Sequence, residues 1–322
     1  CVEVMGRVPS MKVKREKEVE DRTMKRMTKM TKIKTEVNRI LTRKHRFIKF
    51  TSLLLVAVTL AVMSLTLSFT AEAASSVNVS VSGSKITGAQ LVNSVTCVPL
   101  RSFMTKLTNG KASITWNAET KTATVKTNDL TLTVTDGQPY IVANGRYIWC
   151  YTKNYIKDGT MMTAVRPLAK SLGASVTWNG STKSVTVGSA TRAIENGSTY
   201  YNSDDLYWLS RIISAESKGE SLTGKLAVGA VIYNRVKSPD YPNTIYGVIF
   251  DRKNGVQFTP VSNGTIYDTP TNESIIAAKI CMEGYIMNKD ILYFSTVEIM
   301  NTCWAGRNRK CVMTIGNHAF FA

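Results

Sequence analysis

The sequence predicts two domains of different class, a β-rich α+β domain followed by a mainly α domain. Three observations carry this. First, "CVPLRSFMTKLTNGKASITWNAETKTATVKT" from Cys97 and "MTAVRPLAKSLGASVTWNGSTKSVTVG" from Met162 repeat one frame. Each has an Arg (Arg101, Arg166), a Leu six residues later (Leu107, Leu172), then T-W-N-x-x-T-K-x-x-T-V around Trp116 and Trp178. A repeat of this kind fixes an architecture before any single element does. Second, "GSATRAIENGSTYYNSDD" (188–205) has the Gly/Ser/Asn content of a linker. Third, the apolar pattern changes across it, from alternation to helical spacing.

The segment ahead of the repeat is set apart by charge and hydropathy. The chain has 322 residues, is 43% hydrophobic and carries a formal net charge of +18. Residues 1–73 hold 16 Lys/Arg against 7 Asp/Glu, so half of that charge lies there. Residues 1–43 read as a basic leader of disordered composition, and a start at Met27 or Met30 would leave an ordinary signal peptide. Residues 44–73 read as that signal peptide. A basic stretch from Arg43 to Lys49 precedes an uncharged apolar run, Ser52 to Ser68, and the small-residue "AEA" at Ala71 to Ala73. The apolar run falls short of the ~20 residues of a membrane span. Export is therefore expected, with membrane contact only through this segment. The positive charge of the remainder suits anionic wall polymers.

Residues 74–190 are expected to form the first domain. "PLRSFMTKL" and "VRPLAKSL" read as short helices, each followed by a strand pair such as "SITWN" and "TATVKT" around "AET". Between the units, Asp136-Gly137 and Asn144-Gly145 mark hairpin turns. Residues 191–204 are the expected linker and 205–322 the second domain. There, Leu206, Leu209, Ile212, Ile213 and Glu216 share one helical stripe, and Gly219 ends it. Ser221 is the expected N-cap of a second helix whose Leu226, Ala227, Ala230 and Val231 face inward. Thr269-Pro270 opens a third, ending at Gly284, and "ILYFST" reads as a strand. The exported part has five cysteines, Cys97, Cys150, Cys281, Cys303 and Cys311. Cys303 with Cys311, and Cys97 with Cys150, are the conceivable disulfides; free thiols are the alternative.

Residue types narrow the chemistry. The exported part has a single histidine, His318, and no H-E-x-x-H, so neither a metal site nor a cofactor is expected. A Cys-His peptidase has its residue types, but Cys303 and Cys311 lie in a polar loop and neither opens a helix in this reading. Carboxylate chemistry remains. "ISAESKGES" sets Glu216 and Glu220 four residues apart, with Glu216 on the apolar stripe. Partial desolvation there raises a carboxyl pKa, which a general acid working near neutral pH requires. The structural alternatives are pairing of Glu216 with Arg211 or Lys218, or plain solvation past the last helical turn.

The second domain resembles the SleB-type cell-wall hydrolases, the spore cortex-lytic enzyme family. The resemblance rests on A-E-x-x-G-E at Ala215 to Glu220, "AVGAVIYNRV", "YPNTIYGVIF", "VQFTPVSNGTI", "LYF" at Leu292 to Phe294, Trp304 and "IGNHAFF" at Ile315 to Phe321. Val256 departs from the family's usual Gly, and Ala319 precedes two Phe where Phe-Tyr is commoner. The first domain resembles the copper amine oxidase N-terminal-like stalk domain of secreted bacterial proteins, with no His between Ala74 and Val187 to hold copper. The resemblance implies a lysozyme-like (α+β) fold for the second domain. It also implies cleavage of the MurNAc–GlcNAc bond of peptidoglycan, of lytic transglycosylase type. Glu216 is then the catalytic residue, and Glu220, Gln257, Phe258, Tyr293, Trp304 and His318 are substrate-binding candidates. Peptidoglycan is the expected partner and nucleic acid is not. The expected place is outside the cell, in the wall or spore cortex, in wall remodelling or cortex lysis. The rival reading is a non-catalytic wall-binding or structural protein that keeps the fold.

Overall fold

The computed structural model describes residues 75–322 except Asn254, and a few helical positions between Met24 and Arg39. The expected signal peptide and most of the leader lie outside the described residues. Among the described residues no helix is long and apolar enough to cross a membrane. The chain has a sheet-rich N-terminal region and a helical C-terminal region.

Three sheets build the first region. One is a meander of five strands in chain order, Ser113–Asn117, Thr122–Lys126, Thr131–Thr135, Tyr140–Ala143 and Arg146–Trp149. A second, antiparallel, sheet runs Ser75–Ser76, Gln90–Val92, Val95–Pro99, Thr160–Ala164, Tyr155–Lys157. The third pairs the end of the domain with its beginning, because Ser184–Val187 lies parallel to Asn78–Val81. Helices α1 (Leu100–Leu107) and α2 (Val165–Ser171) are the two repeat helices. Each buries its apolar side, Phe103 and Met104 in one, Leu168 and Ala169 in the other.

The repeated T-W-N-x-x-T-K has a local cause. Asn117 Oδ1 accepts from the Thr120 N–H at 3.0 Å, and Asn179 Oδ1 accepts from the Ser181 and Thr182 N–H groups. The asparagine side chain thus closes the turn itself. Lys121 and Lys183 then take φ of 48° and 46°, which reverses the chain into the return strand. Val125 and Val185 point inward, while Trp116 and Trp178 remain exposed.

Residues 191–204 are tied down despite their linker composition. The Thr191 and Ile194 N–H groups donate to Leu172 and Ser171 carbonyls, and the short helix α3 (Gly197–Tyr200) begins with the Gly197 N–H on the Asn144 carbonyl. Next, α4 (Ser203–Ser217) starts at Asn202, whose side chain accepts from the Asp204 and Asp205 N–H groups. Ser221 caps α5 (Leu222–Lys237), as its position predicts. Leu226, Ala227, Ala230 and Val231 are fully buried, and so are Val228 and Ile232, because α5 is covered on nearly all sides. Two short helices follow, α6 (Ile245–Ile249) and α7 (Thr259–Asn263), and then α8 (Asn272–Met282). The start of α8 falls later than Thr269-Pro270. The Thr271 hydroxyl accepts from the Ser274 N–H, so the cap lies past the proline. Helices α4, α5 and α8 pack together. The short α9 (Trp304–Asn308) precedes a C-terminal hairpin. A three-stranded sheet closes the region, with His318–Phe321 between Tyr293–Thr296 and Cys311–Ile315.

The two regions meet at a buried carboxylate. Glu283, just after α8, receives Arg146 at 2.7 and 2.8 Å and Lys170 at 2.7 Å, both from the first region. The Tyr201 hydroxyl donates to it as well, at 3.2 Å. Trp149 stacks on Tyr285 with ring centres 4.9 Å apart, beside Tyr140 and Tyr147 on the helical core. The five described cysteines are all free thiols, and Cys97, Cys150 and Cys281 are buried.

Candidate active site

Glu216 lies in the last turn of α4, on the face that buries Leu209, Ile212 and Ile213. Among the described residues no hydrogen bond or ion pair engages its carboxyl. Arg211 instead lies over the Tyr207 ring, 3.7 Å from its centre, and Lys218 is exposed. Burial without a compensating partner pushes the Glu216 carboxyl up to about 7. The group can therefore give or take a proton near neutral pH.

This carboxyl opens into a cavity of about 310 Å³, lined also by Arg235, Gln257, Phe258, Ser295, Cys303 and His318. Glu216 is the one carboxylate in the lining. Of the residues expected from the sequence, Gln257, Phe258 and His318 join it there. Phe258 is only 2% exposed, so it forms a wall and belongs to the core at the same time. Burial lowers the His318 pKa, opposed by Glu220, so the imidazole is neutral at pH 7. Tyr293 and Trp304 do not line the cavity. They pack on each other at 5.4 Å beneath Arg309, with Trp304 half-exposed.

Glu220 points away from the cavity, toward the C-terminal hairpin. Its Oε1 accepts from the Asn317 N–H at 3.1 Å and lies 3.6 Å from His318 Nδ1. Lys225, itself buried, donates to the Glu220 carbonyl and to Glu273. The approach is so close that a side chain on Gly316, at φ +54°, would overlap the Glu220 carboxylate. Glu216 and Glu220 thus sit differently: one faces the cavity, and the other accepts from the turn that precedes His318.

Of the lining residues that the sequence did not mark, two carry distinctive chemistry. Cys303 caps α9, its Sγ accepting from the Gly306 N–H at 3.3 Å. That corrects the expectation that neither loop cysteine opens a helix; a cysteine serves as a cap where the loop brings no Ser, Thr, Asp or Asn to that position. Burial raises its thiol pKa, but the Ser295 hydroxyl and the helix N–H groups outweigh burial and lower it. The other residue is Arg235. The pair Asn234-Arg235 in the apolar α5 was the available signal. Asn234 donates to the Asn288 and Ile291 carbonyls, and Arg235 Nε to the Leu292 carbonyl, each at 2.8 Å. Together they hold the strand that lines the cavity. Among the described residues no three His, Cys, Asp or Glu are grouped to hold a metal ion.

Comparison with known proteins bears on the two regions separately. Residues 219–321 match the Cell Wall Hydrolase family model. This stretch of the helical region is therefore a cell wall hydrolase domain. Residues 80–187 and 150–205 match the copper amine oxidase N-terminal domain. The spore cortex-lytic enzyme of Bacillus cereus is 34% identical over 120 residues, 37% of this chain and 45% of that protein. The Bacillus subtilis enzyme of the same name is 31% identical over 120 residues, 37% and 38% of the two chains. The chain thus spans less than half the length of these curated relatives. Among solved structures, the catalytic domain of the germination-specific lytic transglycosylase SleB from Bacillus anthracis is 33% identical. The match covers 40% of this chain and all of that domain, with a TM-score of 0.35. The Bacillus cereus SleB catalytic domain is likewise 33% identical, over 40% and 95% of the chains, with a TM-score of 0.34. The family match thus covers most of the helical region, from three residues past Glu216 to Phe321.

Proposed function

We propose that this cell wall hydrolase cleaves the glycan strand of peptidoglycan outside the cytoplasm, as a lytic transglycosylase with Glu216 as its single acid and base. The observation that carries the reading is the lone, unpaired carboxyl in the cavity, raised to about 7. A hydrolase that inverts or retains normally sets two carboxyl groups across the scissile bond. A transglycosylase needs one. Protonated Glu216 gives its proton to the glycosidic oxygen as the C1–O bond breaks. The resulting carboxylate then takes the proton of the muramic C6 hydroxyl, whose oxygen closes on C1. The proton inventory balances and no water is consumed, so the products end in 1,6-anhydromuramic acid. The names of the matched relatives, spore cortex-lytic enzyme and germination-specific lytic transglycosylase, support the substrate and the reaction type.

The remaining expected residues have proposed tasks. Gln257 and His318 hydrogen-bond the sugar, and Phe258 walls the cavity. Tyr293 and Trp304 offer aromatic surface to a flanking unit, and Glu220 positions His318. The deciding experiment is digestion of purified peptidoglycan followed by mass analysis of the fragment ends. Anhydromuramic ends, lighter by one water than hydrolytic ends, are expected. Reducing-end muramic acid would exclude the single-carboxylate route, and an undigested wall would favour the non-catalytic reading.

A further inference from the structure

Charge is divided unevenly between the two regions. Residues 74–190 carry twelve Lys/Arg against four Asp/Glu, a net of +8, whereas residues 191–322 carry thirteen against twelve. The reacting region is nearly neutral, and the sheet-rich region is the cation. A cation of that density attracts polyanions over several ångströms.

That region also holds a groove of about 860 Å³, between α2, the Trp178 hairpin and the loop at 93–96. Trp178 and Tyr151 stand on it, 44% and 64% exposed, although such rings are normally covered. Arg166, on α2, lines the groove, and among the described residues nothing pairs with its guanidinium. Asn93 and Thr96 add uncharged polar groups, and among the described residues no carboxylate lines it. The matching arginine of the first repeat, Arg101, instead donates to the Ile114 carbonyl at 3.4 Å. Tyr151 borders a second cavity as well, about 690 Å³, which reaches Lys237 and Lys289 of the helical region. The two spaces share Tyr151 in their walls; Arg166 lies in the first, and Lys237 and Lys289 outnumber Asp290 in the second, an arrangement that suits an extended anionic chain.

We propose that the Trp178–Tyr151–Arg166 groove binds an anionic polysaccharide of the wall. Aromatic faces take the apolar faces of sugar rings, and the unpaired guanidinium takes a carboxylate or phosphate. The assignment of a wall polymer rests on the function proposed above; the groove itself does not.

The test uses the full chain with Glu216→Gln, so that the wall survives, and measures co-sedimentation with peptidoglycan sacculi that retain or have lost their phosphate polymers. In that background Trp178→Ala and Arg166→Gln should each weaken binding about tenfold. Trp116→Ala, the equivalent exposed ring outside the groove, should leave binding unchanged. Loss of binding on stripped sacculi assigns the phosphate polymer as ligand, and equal binding assigns carboxylates of the glycan itself. Parental binding by both groove variants, or equal affinity for a DNA duplex, overturns the site and leaves only general attraction to polyanions. Cleavage of short soluble glycan by the chain with Glu216 intact is read separately. If cleavage fails while groove-dependent sedimentation holds, the enzymatic reading alone is lost.

Discussion

Glu216 and Glu283 are carboxylates of the same helical region, both removed from bulk water, and they ended with opposite properties. Burial raises the pKa of each. At Glu283 the hydrogen bonds and charges of Arg146 and Lys170 outweigh burial, and the pKa is lowered. At Glu216 nothing compensates, and the pKa stands at about 7. The side chain of Glu283 is 2% exposed, so it would be the less tolerable charge were its partners absent. Burial alone therefore does not single out a carboxyl; burial left uncompensated beside a cavity is the feature on which the proposed role of Glu216 rests. One carboxylate fastens the two regions together, and the other can take up a proton near neutral pH.

The largest expected effect breaks the comparison at Glu216. Glu216→Gln keeps the shape but carries no transferable proton. Turnover of peptidoglycan should fall by at least ~10²–10⁴-fold, the usual worth of general acid–base help. Circular dichroism and wall binding should stay as they were. The same group sets the pH profile. Activity that needs protonated Glu216 should decline as pH rises past about 7. A rate that is flat from pH 6 to 9 would remove Glu216 from the acid's role.

Stability should show the two carboxylates with opposite slopes. Glu283 has a folded pKa below the ordinary value of 4.5, so its contribution is present above pH 4.5 and is lost as pH falls through the folded value. Glu216 has a folded pKa above 4.5, so folding takes up a proton between there and about 7, and stability falls as pH rises through that window. At pH 8 Glu216→Gln should be the more stable protein, by roughly 1–3 kcal/mol. Glu283→Gln should be less stable by roughly 3–5 kcal/mol at neutral pH, because Arg146 is left buried beside a neutral amide. Denaturant titrations at pH 5 and 8 measure both. Removal of residues 74–190 takes away Arg146, Lys170 and the cover of Trp149 over Tyr285. The helical region alone should therefore be less stable, even where it still cuts soluble glycan.

Much of this was legible in residue order, for physical reasons that can be named. The repeat showed because the turn is closed by its own asparagine and lysine, which are local features. Helix α5 showed its start because Ser221 caps it. Glu216 stood out because its helical stripe was otherwise apolar. The Glu283 clamp did not show, since Arg146 and Glu283 are 137 residues apart and neither has a local signature. Cys303 was missed because a five-residue helix carries no periodicity to mark its first turn. Arg235 was hidden for a different reason. A cation inside an apolar helix reads as an outlier until the carbonyl of Leu292 and the cavity beside it are in place.

The smallest predicted effect tests the division of labour inside one motif. Glu220 lies four residues from Glu216, yet its carboxylate is turned to the Asn317 N–H and to His318. Glu220→Gln keeps an oxygen that can accept from Asn317, so the turn should persist and turnover should fall less than ~10-fold. The amide also removes the negative charge that now props up the His318 pKa, so the imidazole should titrate at still lower pH. An NMR titration of His318 checks that shift, which a merely structural contact would not produce. Glu220→Ala should cost more than Glu220→Gln, because the Asn317 bond goes as well. If Glu220→Gln instead abolished turnover as Glu216→Gln does, and the products carried reducing ends, both carboxylates would be reacting groups. The contrast between a paired and an unpaired glutamate would then no longer locate the chemistry.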